Sequence, residues 1–174
     1  MIQNFKTKKL LKHIDQSILG RNKPKEACNM QQLQSIGIVL DGRDQNFVDA
    51  VTQYAEQQEK QGIKVTLLSY LPKVNKQISL SIPFFTKEDI NWYYKPIKES
   101  VINFIEQPFD LLLNFCPDKL LPLESIIALS SAKFIIGNGL THLNSYYDIL
   151  LKLNNSNAPD SFIENVHHYL TLQG

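Results

Sequence analysis

A short polar segment directly after an apolar run carries the first side chains that could bind a ligand. Asp41, Gly42, Arg43 and Asp44 follow the apolar residues 36–40. A guanidinium suits a phosphate, and carboxylate oxygens suit a divalent metal ion. Because Asp and Gly are also the usual residues of tight turns, a purely structural role for this segment stays open.

A second polar segment ends the apolar run at 109–115. It contains Asn114, Cys116 and Asp118. A cysteine acts as a nucleophile only as a thiolate, which a base or a helix N-terminus must stabilise. The helix expected after residue 120 offers such an N-terminus, but the sequence indicates no base. We therefore favour a half-buried structural thiol.

The segment GNGLTH at 137–142 carries the third group. A dinucleotide-binding fingerprint would need a third glycine in place of His142, and it would follow the first strand. We therefore interpret Gly137 and Gly139 as turn glycines with positive φ. We predict no catalytic residue, no metal site and no cofactor. The predicted ligand-binding residues of the three segments are Asp41, Arg43, Asn114, Asp118, Gly137 and Asn138.

Other chemistry is excluded by what the sequence lacks. No Walker A sequence is present, which excludes a P-loop nucleotide hydrolase. Cys28 and Cys116 are far apart without a CxxC spacing, which argues against zinc and against a disulfide framework. His167 and His168 are adjacent on a predicted helix and point about 100° apart, so they cannot bind one metal ion together.

The N-terminal segment is strongly basic. Residues 1–26 carry seven basic and two acidic residues, whereas residues 27–174 carry eleven basic and fifteen acidic ones. Apolar residues recur at helical spacing over residues 2–19, with lysines on the other face. This spacing predicts an amphipathic helix that packs on the body, binds a protein partner, or contacts RNA phosphates or an anionic membrane. The aromatic triplet WYY at 92–94 predicts either a stacking surface for bases or sugars or an edge of the core.

The alternation of strand and helix patterns predicts the fold. The stretch 71–96 is expected to be irregular, with one edge strand at 80–82. The order predicts an α/β fold: a small doubly wound, Rossmann-like, mainly parallel sheet of four or five strands with helices on both faces. Ligands bind such sheets at the carboxyl ends of the strands. Strands are expected at 36–40, 64–70, 109–115, 133–136 and 146–153, and helices at 47–61, 97–106, 122–131 and from Pro159 onward.

The bulk composition is ordinary for a globular protein. The chain has 174 residues, 43% hydrophobic residues and a net charge of +1. We expect one domain over residues 35–174, with the basic segment 1–26 as an arm. The N-terminus lacks the apolar core of a signal peptide, and no apolar run approaches the ~20 residues that span a bilayer. With two separated cysteines, these features predict a cytoplasmic location.

Several segments spread over the whole chain match a known pattern: the basic start, SIGI at 35–38, DINW at 89–92, FDLLLN at 109–114, ALSSAKF at 128–134, Gly137, YDIL at 147–150 and HYL at 168–170. Through them the chain resembles a family of small uncharacterised proteins found in Bacteroidota, described as a domain of unknown function. The resemblance implies a cytoplasmic α/β protein and no particular activity. Residues 109–137 also resemble part of the acceptor-side domain of heptosyltransferase-type glycosyltransferases. Those enzymes bind the sugar nucleotide in a second domain, so this likeness implies the fold alone.

Two functions are expected from these observations. The favoured one is a non-catalytic or regulatory protein that acts through a protein partner bound to the N-terminal helix. The alternative is a small enzyme or binding protein for a phosphorylated or nucleotide-type metabolite held at the strand ends. Association with nucleic acid or an anionic membrane through the same helix stays open.

Overall fold

The computed structural model describes residues 2–18, 32–73, 81–116, 118–138, 141, 143–151 and 159–172. Within these residues the strands are β1 (Ser35–Asp41), β2 (Lys64–Tyr70), β3 (Phe84–Phe85), β4 (Leu111–Asn114), β5 (Phe134–Asn138) and β6 (Ile149–Leu151). The helices are α1 (Ile2–Ile18), α2 (Gln45–Lys60), α3 (Glu99–Glu106), α4 (Leu121–Leu129) and α5 (Pro159–Leu172).

All of these strands belong to one parallel sheet. The strand order is β3-β2-β1-β4-β5-β6, and every neighbouring pair is parallel. This is the order of the Rossmann-type doubly wound sheet, whose topological switch point lies between β1 and β4. The predicted parallel α/β fold is confirmed. The predicted strand number is wrong, because the described residues contain six strands rather than four or five.

Helices cover both faces of the sheet. Helices α2 and α5 share one core with strand side chains such as Ile36 and Ile38. Helices α1, α3 and α4 share a second core with Val39 and Leu112. Because side chains alternate along a strand, a strand covered on both faces is apolar at every position. This explains the near-continuous apolar run at 109–115.

Helix α1 is part of the second core. Leu10 and Ile14 are fully buried and lie in one cluster with apolar side chains of α4. The hydroxyl of Tyr146 donates a hydrogen bond to Asp15 at 3.0 Å. The apolar face of the helix is therefore packed on the body, while Lys8, Lys9 and Lys12 are exposed. The rest of the basic segment, with Arg21, Lys23 and Lys25, lies outside the described residues.

The edge strand differs from its prediction. A strand was expected at 80–82, but β3 is Phe84–Phe85 and pairs with the carboxyl end of β2. The N–H of Ser69 donates to the carbonyl of Pro83 at 2.9 Å, so contact with β2 begins at this proline. Proline has no N–H and is found at the start or the edge of a sheet. Leu80 lies outside the described residues.

The last strand is shorter than the predicted residues 146–153. Residues Asn144–Tyr146 form a 3₁₀ turn instead, and β6 has three residues. The cause is Asp148, whose carboxylate accepts from the N–H of Ile135 at 2.8 Å, while its own N–H donates to the Ile135 carbonyl at 2.9 Å. A side chain therefore substitutes for a strand carbonyl here, and regular pairing with β5 begins after it. The last two predicted residues lie outside the described residues.

Candidate functional site

The polar residues after β1 and β4 meet at the switch point, where they bind one another. Arg43 donates through Nε to both carboxylate oxygens of Asp41 at 2.9 and 2.8 Å. Its Nη2 donates to Asp118 at 2.7 Å. These hydrogen bonds, first of all that to Asp41, raise the pKa of Arg43. Two carboxylates and one guanidinium carry a net negative charge, so this ion triad does not favour an anion.

The N-terminus of α2, the first helix after β1, is also unavailable to a phosphate. The side chain of Asp44 caps α2 and accepts from the N–H groups of Asn46 at 3.0 Å and Phe47 at 3.4 Å. In Rossmann-type sheets the pyrophosphate of a dinucleotide occupies this helix N-terminus. Here the chain's own carboxylate occupies it, so the geometry provides no phosphate site at the usual place.

Three more predicted site residues, Asn114, Gly137 and Asn138, lie at the ends of β4 and β5. Asn114 donates through Nδ2 to the hydroxyl of Tyr147 at 2.7 Å and accepts from the N–H of Cys116 at 3.0 Å. Asn138 donates through Nδ2 to the carbonyl of Cys116. These buried amides bind the two strand ends together. A ligand-binding role for them stays a prediction.

Gly137 does not have the role that the sequence suggested. It lies inside β5, and its φ is not positive. The ring of Tyr147 occupies the space that a Cβ at this position would need. The interpretation as a turn glycine is therefore wrong for Gly137, which is required by close packing. Gly139 and His142 lie outside the described residues.

Cys116 is more deeply buried than the half-buried structural thiol that the sequence predicted. Its sulfur donates to the carbonyl of Asp118 at 3.0 Å, and its side chain is buried. Burial raises the pKa of the thiol to about 12. A thiol with this pKa is protonated at neutral pH and is a poor nucleophile.

A pocket of about 450 Å³ lies on the other side of β1, at the carboxyl ends of β2 and β3. Tyr70 is the last residue of β2, and Lys87 begins the 3₁₀ turn that follows β3. The pocket is therefore at the edge of the sheet where ligands bind doubly wound proteins. Its lining residues are Lys6, Tyr70, Lys87, Ile90, Asn91, Trp92 and Tyr94.

The aromatic side of the pocket is a tight loop. The side chain of Asn91 accepts from the N–H groups of Tyr93 at 3.1 Å and Lys95 at 3.0 Å. Tyr94 has a φ of 69°, which is uncommon for a bulky residue and costs about 1–3 kcal/mol. Strained positions of this kind cluster at ligand-binding sites. The loop that presents Trp92 and Tyr94 is thus closed by its own hydrogen bonds.

Helix α1 completes the pocket. It supplies Lys6, whose ammonium lies 5.9 Å from the centre of the Tyr94 ring. Phe5 stacks on Trp92 with 6.0 Å between ring centres and 12° between the planes. The ammonium of Lys9 lies 4.4 Å from the centre of the Trp92 ring, a distance typical of a cation–π contact.

The charges that line the pocket are positive. Lys6 and Lys87 contribute two ammonium groups, and no carboxylate is among the lining residues. Within the described residues neither lysine forms an ion pair. The neighbouring Asp89 is paired with Lys98 at 3.4 Å. The pocket therefore combines two cations with aromatic side chains, an arrangement that suits an anionic ligand with a flat ring.

Sequence reasoning found parts of this pocket but not the whole. The triplet at 92–94 was expected to form a stacking surface or a core edge, and the basic helix was expected to contact phosphates or the body. Lys87 was missed, because residues 71–96 were expected to be irregular. A signal was present in the lysine two residues after the FF pair of β3, at a carboxyl strand end.

Among the described residues, no group of three or more His, Cys, Asp or Glu side chains is placed to hold a metal ion. In the same residues, no helix is both long and apolar enough to cross a membrane.

Together the fold and the pocket define a class: an α/β protein with Rossmann strand order and a basic aromatic pocket beside its switch point. The chain belongs to the family described as "Family of unknown function (DUF6913)", which it matches over residues 6–172. All residues that line the pocket fall within this match. No curated protein and no solved structure matches the chain.

Proposed function

We propose that this protein binds a small anionic metabolite with an aromatic ring, of the phosphorylated or nucleotide type. The observation that carries the proposal is the pairing of Lys6 and Lys87 with Tyr70, Trp92 and Tyr94 around one pocket. A volume of about 450 Å³ falls within the range of roughly 300–1,000 Å³ that is typical of small-molecule sites.

The lysines of the pocket would bind the phosphate of such a ligand, and the aromatic side chains would bind its ring. Hydrogen bonds between an ammonium and a phosphate are charge-assisted, and they are about twice as strong as neutral ones. An aromatic side chain that stacks on a base contributes about 1–3 kcal/mol. Trp92 is 49% exposed, so part of its surface is accessible to a ligand.

The proposal is one of binding rather than catalysis. The lining residues include no histidine, carboxylate or thiol, which are among the commonest general bases and nucleophiles of enzymes. The likeness of residues 109–137 to a glycosyltransferase acceptor domain concerns a part of the sheet outside this pocket and supports no transfer reaction. A cytoplasmic location and an occurrence in Bacteroidota fit a metabolite-binding protein and stay predictions.

A second candidate function is association with a protein partner through the exposed side of α1. It is favoured by the exposure of Phe5, at 62%, beside Trp92. Exposed aromatic side chains are enriched in protein interfaces. Because Leu10 and Ile14 are buried in the core, the partner would contact only the outer face of this helix. A ligand in the pocket and a partner on α1 would share Trp92.

A thermal-shift screen tests the proposed binding. The panel contains phosphorylated ring compounds, the same rings without phosphate, and inorganic phosphate. We expect the melting temperature to rise with at least one phosphorylated ring compound, since a ligand at about 100 times its Kd stabilises by about 2.7 kcal/mol. Lys6→Gln and Lys87→Gln should remove this rise, whereas Lys8→Gln, an exposed lysine outside the pocket, should retain it.

Two results would count against the proposal. One is a panel in which no anionic ring compound raises the melting temperature. The other is a rise that both pocket variants retain, which would place the binding site elsewhere on the protein.

A further inference from the structure

We infer that the ligand is a nucleoside monophosphate, bound as the phosphate dianion without a divalent cation. This inference rests on the proposed function and specifies its ligand class. It follows from three properties of the described residues around the pocket: the number of positive charges, the absence of a carboxylate from the lining, and the closed switch point beyond Tyr70.

The first property is the match of charge. Lys6 and Lys87 offer two positive charges, and the lining has no negative one. A phosphate monoester carries about −1.5 to −2 charge at pH 7, because its second pKa is about 6. Two ammonium groups therefore neutralise one monophosphate, whereas a triphosphate would keep excess negative charge inside the pocket.

The second property concerns the Mg²⁺ ion that is bound together with longer phosphate chains. Protein sites for Mg²⁺-bound nucleotides hold the ion through one or two carboxylates and the phosphates. Two of the carboxylates near this pocket are already engaged. Asp89 accepts from the N–H of Thr86 at 2.7 Å and pairs with Lys98 at 3.4 Å, and Asp41 is held by Arg43.

The third property is that the strand ends toward the switch point present carboxylates to a longer chain of phosphates. The N–H of Gly42 donates to the carbonyl of Tyr70 at 3.0 Å, so the ends of β1 and β2 lie side by side. The β1 end carries Asp41 of the ion triad, and the α2 N-terminus behind it is capped by Asp44. A second phosphate directed toward the switch point would meet carboxylates instead of N–H donors.

The aromatic side chains of the pocket would contact the base of the nucleotide. Trp92 is held by Phe5 and Lys9 of α1 and still has 49% of its surface exposed. Tyr94 and Lys6 lie on the same pocket, so a ring that contacts the aromatic side places its phosphate within reach of the lysines. A pocket of about 450 Å³ is in the lower half of the range for small-molecule sites, which suits one nucleotide unit.

Isothermal titration calorimetry on the full chain tests the inference. The probes are AMP, GMP, CMP and UMP, the four nucleosides, and ATP and GTP, each with EDTA and with excess MgCl₂. We expect at least one monophosphate to bind in EDTA with a Kd that MgCl₂ leaves unchanged. Its nucleoside should bind about 10- to 100-fold more weakly, as expected when charge-assisted hydrogen bonds are lost.

Matched variants locate the phosphate. Lys6→Gln and Lys87→Gln should each weaken the monophosphate about 10-fold or more without changing the affinity of the nucleoside. Lys8→Gln should change neither. Circular dichroism and the melting temperature of the free variants establish that they are folded.

The outcomes separate this inference from the proposed function. Tighter binding of a triphosphate in MgCl₂, or equal binding of nucleoside and monophosphate, overturns the inference. So does a pocket that binds another phosphorylated ring compound but none of the four monophosphates, although the proposed function then survives. If no anionic ring compound of any kind binds, both are overturned.

Discussion

Phe5 of α1 stacks on Trp92 of the loop after β3, with 6.0 Å between ring centres and 12° between ring planes. This contact joins the N-terminal helix to the loop that forms the aromatic side of the pocket. Since α1 also supplies Lys6, the packing of this helix and the shape of the pocket depend on each other.

The first prediction concerns the packing of α1. Leu10 is fully buried in the core that α1 shares with α4. Leu10→Ala should lower the free energy of unfolding by about 2–5 kcal/mol, because it removes buried methyl groups and leaves a cavity. Urea denaturation measures the change. Lys8→Ala, on the exposed side of the same helix, is the control and should change the stability by less than about 0.5 kcal/mol. An effect of Leu10→Ala as small as that of the control would mean that α1 does not pack on the body in solution.

The second prediction concerns the ion triad. Arg43→Ala should leave ligand binding in the pocket unchanged, because Arg43 does not line it. It should lower the free energy of unfolding by about 1–3 kcal/mol, since the buried carboxylate of Asp41 loses its charged donor. The double variant Asp41→Asn with Arg43→Ala should recover part of this loss. Asp118→Asn, at an exposed carboxylate, should cost less than about 1 kcal/mol.

Binding measurements on Arg43→Ala also decide between two places for the site. The sequence predicted ligand binding by Asp41, Arg43 and Asp118, whereas the pocket lies beside β2 and β3. If Arg43→Ala abolished the binding of a ligand that Lys87→Gln still bound, the site would be at the switch point.

The third prediction is a pH dependence at Asp110. Its carboxylate accepts from the N–H groups of Gln34 and Ser35 at 3.0 and 2.9 Å, and from Lys133 at 2.7 Å. Burial alone would raise the pKa of Asp110, but these donors outweigh burial and lower it below the ordinary 3.8. The folded state therefore favours the charged form. The stabilisation is complete above about pH 4 and is lost as the pH falls through the lowered pKa of the folded state.

Asp110→Asn tests this dependence. It should lower the free energy of unfolding by about 1–3 kcal/mol at pH 7, and the difference from the natural chain should shrink at pH values below the native pKa. Urea denaturation from pH 7 to pH 2.5 follows the difference. Glu56→Gln, at an exposed position inside α2, is the control. A difference that stayed constant over this range would show that the carboxylate charge does not stabilise the fold.

The fourth prediction concerns Gly137. A methyl group there would meet the ring of Tyr147, whose hydroxyl accepts from Asn114 at 2.7 Å. Gly137→Ala should therefore destabilise the protein by about 1–3 kcal/mol, as expected for an overpacked core. In a Tyr147→Ala background the same change should cost much less. A double-mutant cycle measures this coupling, and additive effects of the two changes would contradict the proposed clash.

The sequence was sufficient for the elements whose hydrophobic pattern is long. The runs at 36–40 and 64–70 predicted β1 and β2 because each strand is covered on both faces. The two-residue β3 was not predictable in this way, since it forms only where Pro83 and Phe84 meet the end of β2. The short β6 was overestimated, because the carboxylate of Asp148 replaces a strand carbonyl.

The candidate site was predictable only in its general position. Carboxyl ends of parallel strands meet at one edge, so Asp41, Arg43 and Asp118 were expected to lie together, and they do. That they would bind one another depends on side-chain geometry that no spacing reveals. The pocket joins Lys6 of α1 to Tyr70 and Lys87, which follow much later in the chain, and the packing that brings them together is a property of the tertiary structure.

Tryptophan fluorescence tests the central claim most directly, because Trp92 is the one tryptophan among the 174 residues and lines the pocket. The emission of the natural chain is followed during titration with each nucleoside monophosphate in EDTA. We predict a saturable change with at least one of them, retained in Lys8→Gln and lost in a variant that combines Lys6→Gln with Lys87→Gln. An emission that no anionic ring compound changes, or a change that the double variant retains, would contradict it.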